Sequence, residues 1–186
     1  IESAKGFALK NLEAFEGLNL DYITTACATC TNSLKNIFVR LLGSCNAELK
    51  ERVIKFSSKV IDMTELSASL TKGEGCAQRG IKVTYHDPCH LARGHGVKNE
   101  PRGLLKKAGY ELVEMDDPGR CCGMGGGLTF ANHELSVEIA MKKAEDIVST
   151  GAQIVATACP GCIIQIRDAL TRMGANLPVA HVACLI

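Results

Sequence analysis

The pattern Thr-Ala-Cys-x-x-Cys occurs twice in this chain, at Thr25 to Cys30 and at Thr157 to Cys162, 132 positions apart. A repeat constrains architecture before any single residue does, because each copy must build the same local unit. The flanks repeat as well. Ahead of the first copy, Ala4, Ala8, Leu12 and Phe15 mark one helical face that ends at Gly17, and Leu20 to Thr25 then reads as a strand. Ahead of the second, Leu135, Ile139, Ala144 and Ile147 mark a helix ending near Gly151, and Gln153 to Ala158 reads as a strand. An apolar-periodic stretch follows each cysteine pair, Leu34 to Leu42 and Ile163 to Met173. Both copies therefore predict helix, strand, Cys-x-x-Cys, helix.

The second copy is preceded by elements that the first lacks. Ile81 to Tyr85 reads as a buried strand, Pro101 to Ala108 as a helix with proline near its first turn, and Tyr110 to Met115 as another strand. Short strands alternating with longer helices predict an α/β fold of parallel sheets flanked by helices. The N-terminal copy then reads as the rear half of a unit whose front half lies before Ile1. On this reading 1–75 is the C-terminal half of a first unit and 76–186 a complete second unit. Between the copies, Ser44 to Leu70 reads as helical, and Thr71 to Gly80, rich in glycine and charge, reads as the linker.

Charge says little about partners: Lys plus Arg is 21 and Asp plus Glu is 20, so no basic surplus points to nucleic acid or anionic lipid. The longest mostly apolar run, Ile154 to Ile166, has 13 residues and is broken by Pro160 and Gly161. A membrane span needs roughly 18, so no transmembrane segment is expected. The chain starts on Ile1 and enters a helical pattern almost at once, so it reads as a piece of a longer polypeptide. Ten cysteines in 186 residues are far above ordinary usage, and they sit in short clusters without any Asn-x-Ser/Thr acceptor. Clustering of this kind favours a reducing compartment, and a cytoplasmic location is expected.

Downstream of the linker, the clustered cysteines are Cys89, the adjacent pair Cys121 and Cys122, and the pair Cys159 and Cys162. Each group follows a predicted strand, so all five should converge at the carboxyl ends of a parallel sheet, where such folds bind ligands. Adjacent cysteines rarely pair and five is odd, so disulfides explain the set poorly and a metal centre explains it well. Structural zinc takes four ligands and would leave one thiol idle, whereas an iron-sulfur cluster uses thiolates and can accommodate more; zinc stays open as the alternative. Glycines after the pair, Gly123 and Gly125 among them, allow close backbone approach and offer N–H groups to sulfur. Cys162 is expected to open a helix, where a thiolate is favoured.

The runs His86-Asp87-Pro88-Cys89, Asp117-Pro118-Gly119-Arg120-Cys121-Cys122-Gly123 and Thr157-Ala158-Cys159-Pro160-Gly161-Cys162 resemble the cysteine-rich CCG domain. That domain occurs in heterodisulfide reductase subunits, in the iron-sulfur subunit of glycolate oxidase, and in related lactate-utilisation and glycerol-3-phosphate dehydrogenase systems. The resemblance covers nearly the whole chain, and the loop at 96–101 looks closest to the glycolate oxidase type. It implies two Rossmann-like units related by a pseudo-twofold axis, one of them incomplete here. It further implies a 4Fe-4S cluster, non-cubane in some members, on Cys89, Cys121, Cys122, Cys159 and Cys162. Cys27 and Cys30 would be the last two ligands of an incomplete first site. A Glu-Leu ending is common in each unit; Glu65 keeps it, whereas Cys184 stands where glutamate is expected.

Bland readings stand beside these. A thioredoxin-like pair is an alternative for Cys27 and Cys30, and Cys45 and Cys76 read as ordinary lone cysteines. The glycines at 123–127 lack the spacing of a dinucleotide fingerprint. His86, His90 and His95 surround Cys89, with a supporting role around the centre, for His86 and His90 above all, preferred to ligation or proton transfer, and Arg93 and Arg120 stand near the rim. Two function classes follow from the resemblance. In one, the chain relays electrons from a flavoprotein dehydrogenase that oxidises a 2-hydroxy acid such as glycolate or lactate, through an upstream ferredoxin-type region, to a quinone or other carrier, with peripheral attachment to the inner membrane through such partners. In the other, the cluster itself performs disulfide chemistry. A zinc-stabilised module without redox function is the third reading.

Overall fold

The computed structural model describes residues 1–73 and 75–186. Helix α1 (Glu2–Glu16) turns Ala8 and Leu12 inward, and the chain leaves it at Gly17 to enter strand β1 (Ile23–Thr25). Cys27 caps α2 (Ala28–Asn32), which runs through one π-helical segment, Ser33–Ile37, into α3 (Phe38–Leu42). Asn46 caps α4 (Ala47–Lys59) by accepting the Leu49 N–H at 2.7 Å. Strand β2 (Val60–Asp62) and helix α5 (Met63–Leu70) follow.

The second part holds β3 (Lys82–Tyr85), α6 (Cys89–Ala92), α7 (Asn99–Lys107) and β4 (Glu111–Leu112). After these come α8 (Leu128–Ala131), α9 (His133–Ser149), β5 (Ile154–Thr157), α10 (Pro160–Arg172) and β6 (Val179–His181). All strand pairs are parallel, in a two-stranded sheet β1-β2 and a four-stranded sheet ordered β4-β3-β5-β6. The α/β architecture with parallel, helix-flanked sheets is the one expected. From β4 at one edge the chain crosses to β5 on the far side of β3, which opens a crevice at the carboxyl ends of β3 and β5.

The repeat extends into the strand register. Ile23 lies opposite Val60 and Thr25 opposite Asp62, just as Val155 lies opposite Val179 and Thr157 opposite His181. Asp62 and His181 thus occupy matching places, and each accepts an N–H two residues on, from Thr64 at 2.8 Å and from Ala183 at 3.1 Å. One difference remains: β5 is flanked on both sides, whereas β1 has β2 on one side and, among the described residues, no strand on the other.

The expected helix over Ser44 to Leu70 is corrected by the structure, because β2 divides it. Three residues between two helices are too few to show a period of two, and Val60 to Asp62 pair with β1 in an extended conformation, with Val60 and Asp62 both buried. The expected strand at Tyr110 to Met115 shortens to Glu111–Leu112. The expected linker, Thr71 to Gly80, has no regular structure where described; Glu74 lies outside the described residues. Its later part is tied to the end of α7, with Cys76 N–H donating to Lys107 and Arg79 N–H to Gly109.

Two buried clusters form. One gathers Leu12, Ile23, Leu42, Val53 and Val60 around Phe56, whose ring lies 6.0 Å from Phe15 and 6.2 Å from Phe38. The other fills both faces of the four-stranded sheet with Val83, Tyr85, Leu105, Ile147, Val155 and Ile166, and it includes Ala28 from the first copy. There the halves meet: the Ala28 N–H donates to the Ala158 carbonyl at 3.2 Å, and α5 packs on α7. Among the described residues, no helix is long and apolar enough to cross a membrane.

Candidate metal centre

The crevice between β3 and β5 opens into a cavity of about 350 Å³, and all five clustered cysteines line it. Three loops deliver them. The first leaves β3 as His86-Asp87-Pro88 and reaches Cys89 at the start of α6. Its path is fixed by the His86 N–H donating to Ala156 and the Asp87 N–H donating to Pro118. Arg102 clamps it from α7, reaching Asp87 at 2.8 and 3.2 Å and Glu114 at 2.7 and 3.0 Å, with its guanidinium 5.1 Å from the centre of the Tyr85 ring.

The second loop carries Cys121 and Cys122 and is pinned to α9 on both sides. Upstream, Lys143, fully buried, donates to the Asp117 carbonyl at 2.6 Å, and Asp146 accepts the N–H groups of Asp116 and Asp117. Downstream, Ser136 donates to the Gly123 carbonyl at 2.9 Å and is itself held by Gln165. Gly123 has φ +95°, and a Cβ there would lie 2.4 Å from the Ser136 carbonyl oxygen, so both conformation and space require glycine. Its N–H donates to the Cys121 Sγ at 3.4 Å, while Gly125 lines the cavity.

The third loop follows β5 into α10. Here the sequence expectation is corrected: Cys159 is the N-cap, followed by Pro160, and Cys162 lies within the first turn. The thiol held low is Cys159, at about 5, chiefly by hydrogen bonding from the Cys162 side chain and against the opposing effect of burial. Cys162 is pushed up by its contacts with Cys122 and Cys159. Its Sγ lies 3.4 Å from that of Cys122. Cys122 is pulled down by hydrogen bonding from Cys121 and Cys162, which leaves Cys121 pushed up in turn.

His86 lines the same cavity. One of its ring nitrogens and the sulfurs of Cys122 and Cys162 lie within 4.8 Å of one another. His90 lines the cavity mouth and shares a 3.0 Å hydrogen bond through Nδ1 with the Thr29 hydroxyl. Cys27 and Cys30 stay outside the lining: Cys27 accepts the Cys30 N–H at 3.4 Å and is pushed up to about 11 by burial. Ala28 and Thr29 between them do reach the cavity, and the Thr29 hydroxyl lies 3.9 Å from the Cys159 sulfur. Of the rim residues, Arg93 donates to the Gly119 carbonyl, Arg120 pairs with Asp117, and His95 lies off the lining. Cys45, Cys76 and Cys184 are exposed and do not line the cavity.

The donor set suits a soft metal: thiols from three loops face one cavity, and of the two imidazoles that line it His86 is buried with both ring nitrogens unsatisfied. Thr29, Ser136, Lys143 and Gln165 were not singled out from the sequence. A lysine on the apolar side of α9, in line with Ala140, Ala144 and Ile147, was the available sign for Lys143.

A thiol-lined crevice at the switch point of a parallel α/β sheet is the class of site that fold and geometry define. The sequence profile of the cysteine-rich domain family, CCG, matches residues 2–35 and 83–167, and the chain belongs to that family. It is 37% identical over 184 residues to an uncharacterized iron-sulfur protein of Methanococcus maripaludis, covering 95% of this chain and 34% of that one. It is 33% identical over 187 residues to one polypeptide of the dihydromethanophenazine:CoB–CoM heterodisulfide reductase of Methanosarcina acetivorans, covering 98% of this chain and 44% of that polypeptide. Against lactate utilization protein A 1 of Bacillus mycoides the identity is 29% over 185 residues, covering 98% and 74%. The chain thus spans about a third of the length of the first of these relatives.

Proposed function

We propose that this chain is part of an iron-sulfur electron-transfer subunit, with Cys89, Cys121, Cys122, Cys159 and Cys162 as ligands of a 4Fe-4S cluster. The observation that carries the reading is the convergence of five thiols from three loops on one cavity. When bound, such a cluster accepts and passes on single electrons. The chain's own residues supply the rest: α9 and Arg102 hold the loops in place, and the Gly123 N–H offsets negative charge on Cys121. The matching registers of the two copies support reading 1–75 as the rear half of a first unit, with Cys27 and Cys30 as its last two ligands.

In the fuller assembly, a flavoprotein subunit oxidising a 2-hydroxy acid would be the donor, ferredoxin-type clusters would lie upstream, and a quinone or other carrier would accept. The lactate-utilisation relative supports that choice. The place would be the cytoplasm or the inner face of the membrane.

A second reading, disulfide chemistry at the centre, is favoured by the cavity mouth, where Thr29 and His90 stand beside the thiols, and by the heterodisulfide reductase relative. A third, structural zinc, draws on the proximity of His86, Cys122 and Cys162. The test is iron, sulfide and zinc content with a visible spectrum on anaerobically purified protein. Equal iron and sulfide with broad brown absorbance supports the cluster, and one zinc per chain without colour overturns it. A spectrum of loaded protein that changes on adding a disulfide selects the second reading over the first.

A further inference from the structure

His86 is 1% exposed, and among the described residues neither Nδ1 nor Nε2 has a hydrogen-bond partner. Leaving a buried polar group unpaired costs about 1–3 kcal/mol, so an orphaned imidazole lining a cavity calls for a partner that the protein binds there. The ring has little freedom to find one elsewhere. Its backbone is fixed by the N–H bond to Ala156, and the next residue, Asp87, is held by Arg102 and Pro118. One ring nitrogen already lies within 4.8 Å of the sulfurs of Cys122 and Cys162.

We propose that His86 donates a ring N–H to the sulfur of Cys122 or Cys162 when these thiolates hold the iron-sulfur centre, and so raises the centre's reduction potential; this rests on the cluster reading above. Donation is favoured over ligation because five thiols already supply the ligands, while a neutral imidazole always carries one N–H and thiolate sulfur accepts it. Negative charge on the sulfurs grows on reduction, so the bond strengthens in the reduced state and shifts the equilibrium towards it.

The test compares His86→Leu, which keeps much of the volume and loses the donor, with His86→Gln, which keeps a donor. Iron and sulfide are measured first. Wild-type protein that holds neither overturns the cluster reading itself, before any variant is compared. With the wild type loaded, the expected result is normal loading in both variants. His86→Leu shifts the reduction equilibrium at least tenfold towards the oxidised form, about 59 mV for a one-electron couple, and His86→Gln stays close to wild type. A loaded His86→Leu protein with the wild-type potential overturns the inference, as does loss of iron in both variants, which means ligation. Pulsed electron paramagnetic resonance on reduced wild-type protein carrying ¹⁵N-histidine needs no variant to fold. A weak ¹⁵N coupling supports the donor, and either a coupling of ligand strength or none at all overturns it.

Discussion

Gly123 sets the direction of the Cys121–Cys122 loop through two separate requirements, a positive φ and a carbonyl 2.4 Å from where a Cβ would sit. Gly123→Ala therefore costs about 1–2 kcal/mol for the left-handed backbone alone, before the clash with Ser136 is added. Urea unfolding should show a loss at least that large together with reduced iron content, and an unchanged midpoint would refute the claim. Cys159 provides a second residue-level expectation. In metal-free protein its thiol ionises near pH 5, so a step in thiolate absorbance near that pH should be present in the wild type and missing in Cys159→Ser. The sign for stability follows. A thiol whose folded value lies below its ordinary 9.0 contributes fully above pH 9, and the contribution is lost as pH falls through about 5. The cysteines were legible from spacing alone. What spacing did not reveal was which of Cys159 and Cys162 caps α10, since that depends on where the first helical turn begins, and the two candidates lie three residues, almost one turn, apart.

Among the elements, strands β1, β3 and β5 were legible because a cysteine motif or an apolar run marks where each ends. Strand β2 was not, although the sequence carries a likeness between Asp62 to Leu66 and His181 to Leu185. Two flanking helices supplied a strong 3.6-residue period that absorbed its three residues. The site depends on elements that carry none of its thiols. Helix α7 holds the Cys89 loop through the Arg102 fork on Asp87, whose side chain is 7% exposed. Arg102→Ala leaves that carboxylate buried and unpaired, a loss of about 3–5 kcal/mol. Arg102→Lys should recover part of it, since one ammonium cannot serve both Asp87 and Glu114 as a planar fork does. Equal thermal unfolding in wild type and Arg102→Ala would show that the clamp contributes nothing.

At the scale of the whole molecule, two cores with separate residues meet at a seam in which one small side chain takes part. Ala28 belongs by sequence to the first copy and by packing to the second, and its N–H reaches Ala158. Ala28→Leu overfills that seam at a cost of about 1–3 kcal/mol. The expected outcome is a calorimetric trace that splits into two transitions where the wild type shows one. A single, merely lowered transition would mean that the cores do not unfold separately. Strand β1 carries a different consequence. Its counterpart β5 is covered on both sides, whereas among the described residues no strand pairs with the second side of β1, an edge of the kind that can accept another extended chain, and Tyr22 is exposed just ahead of it. A free strand edge does not choose its partner, so at high concentration self-association by strand addition is expected to begin at β1.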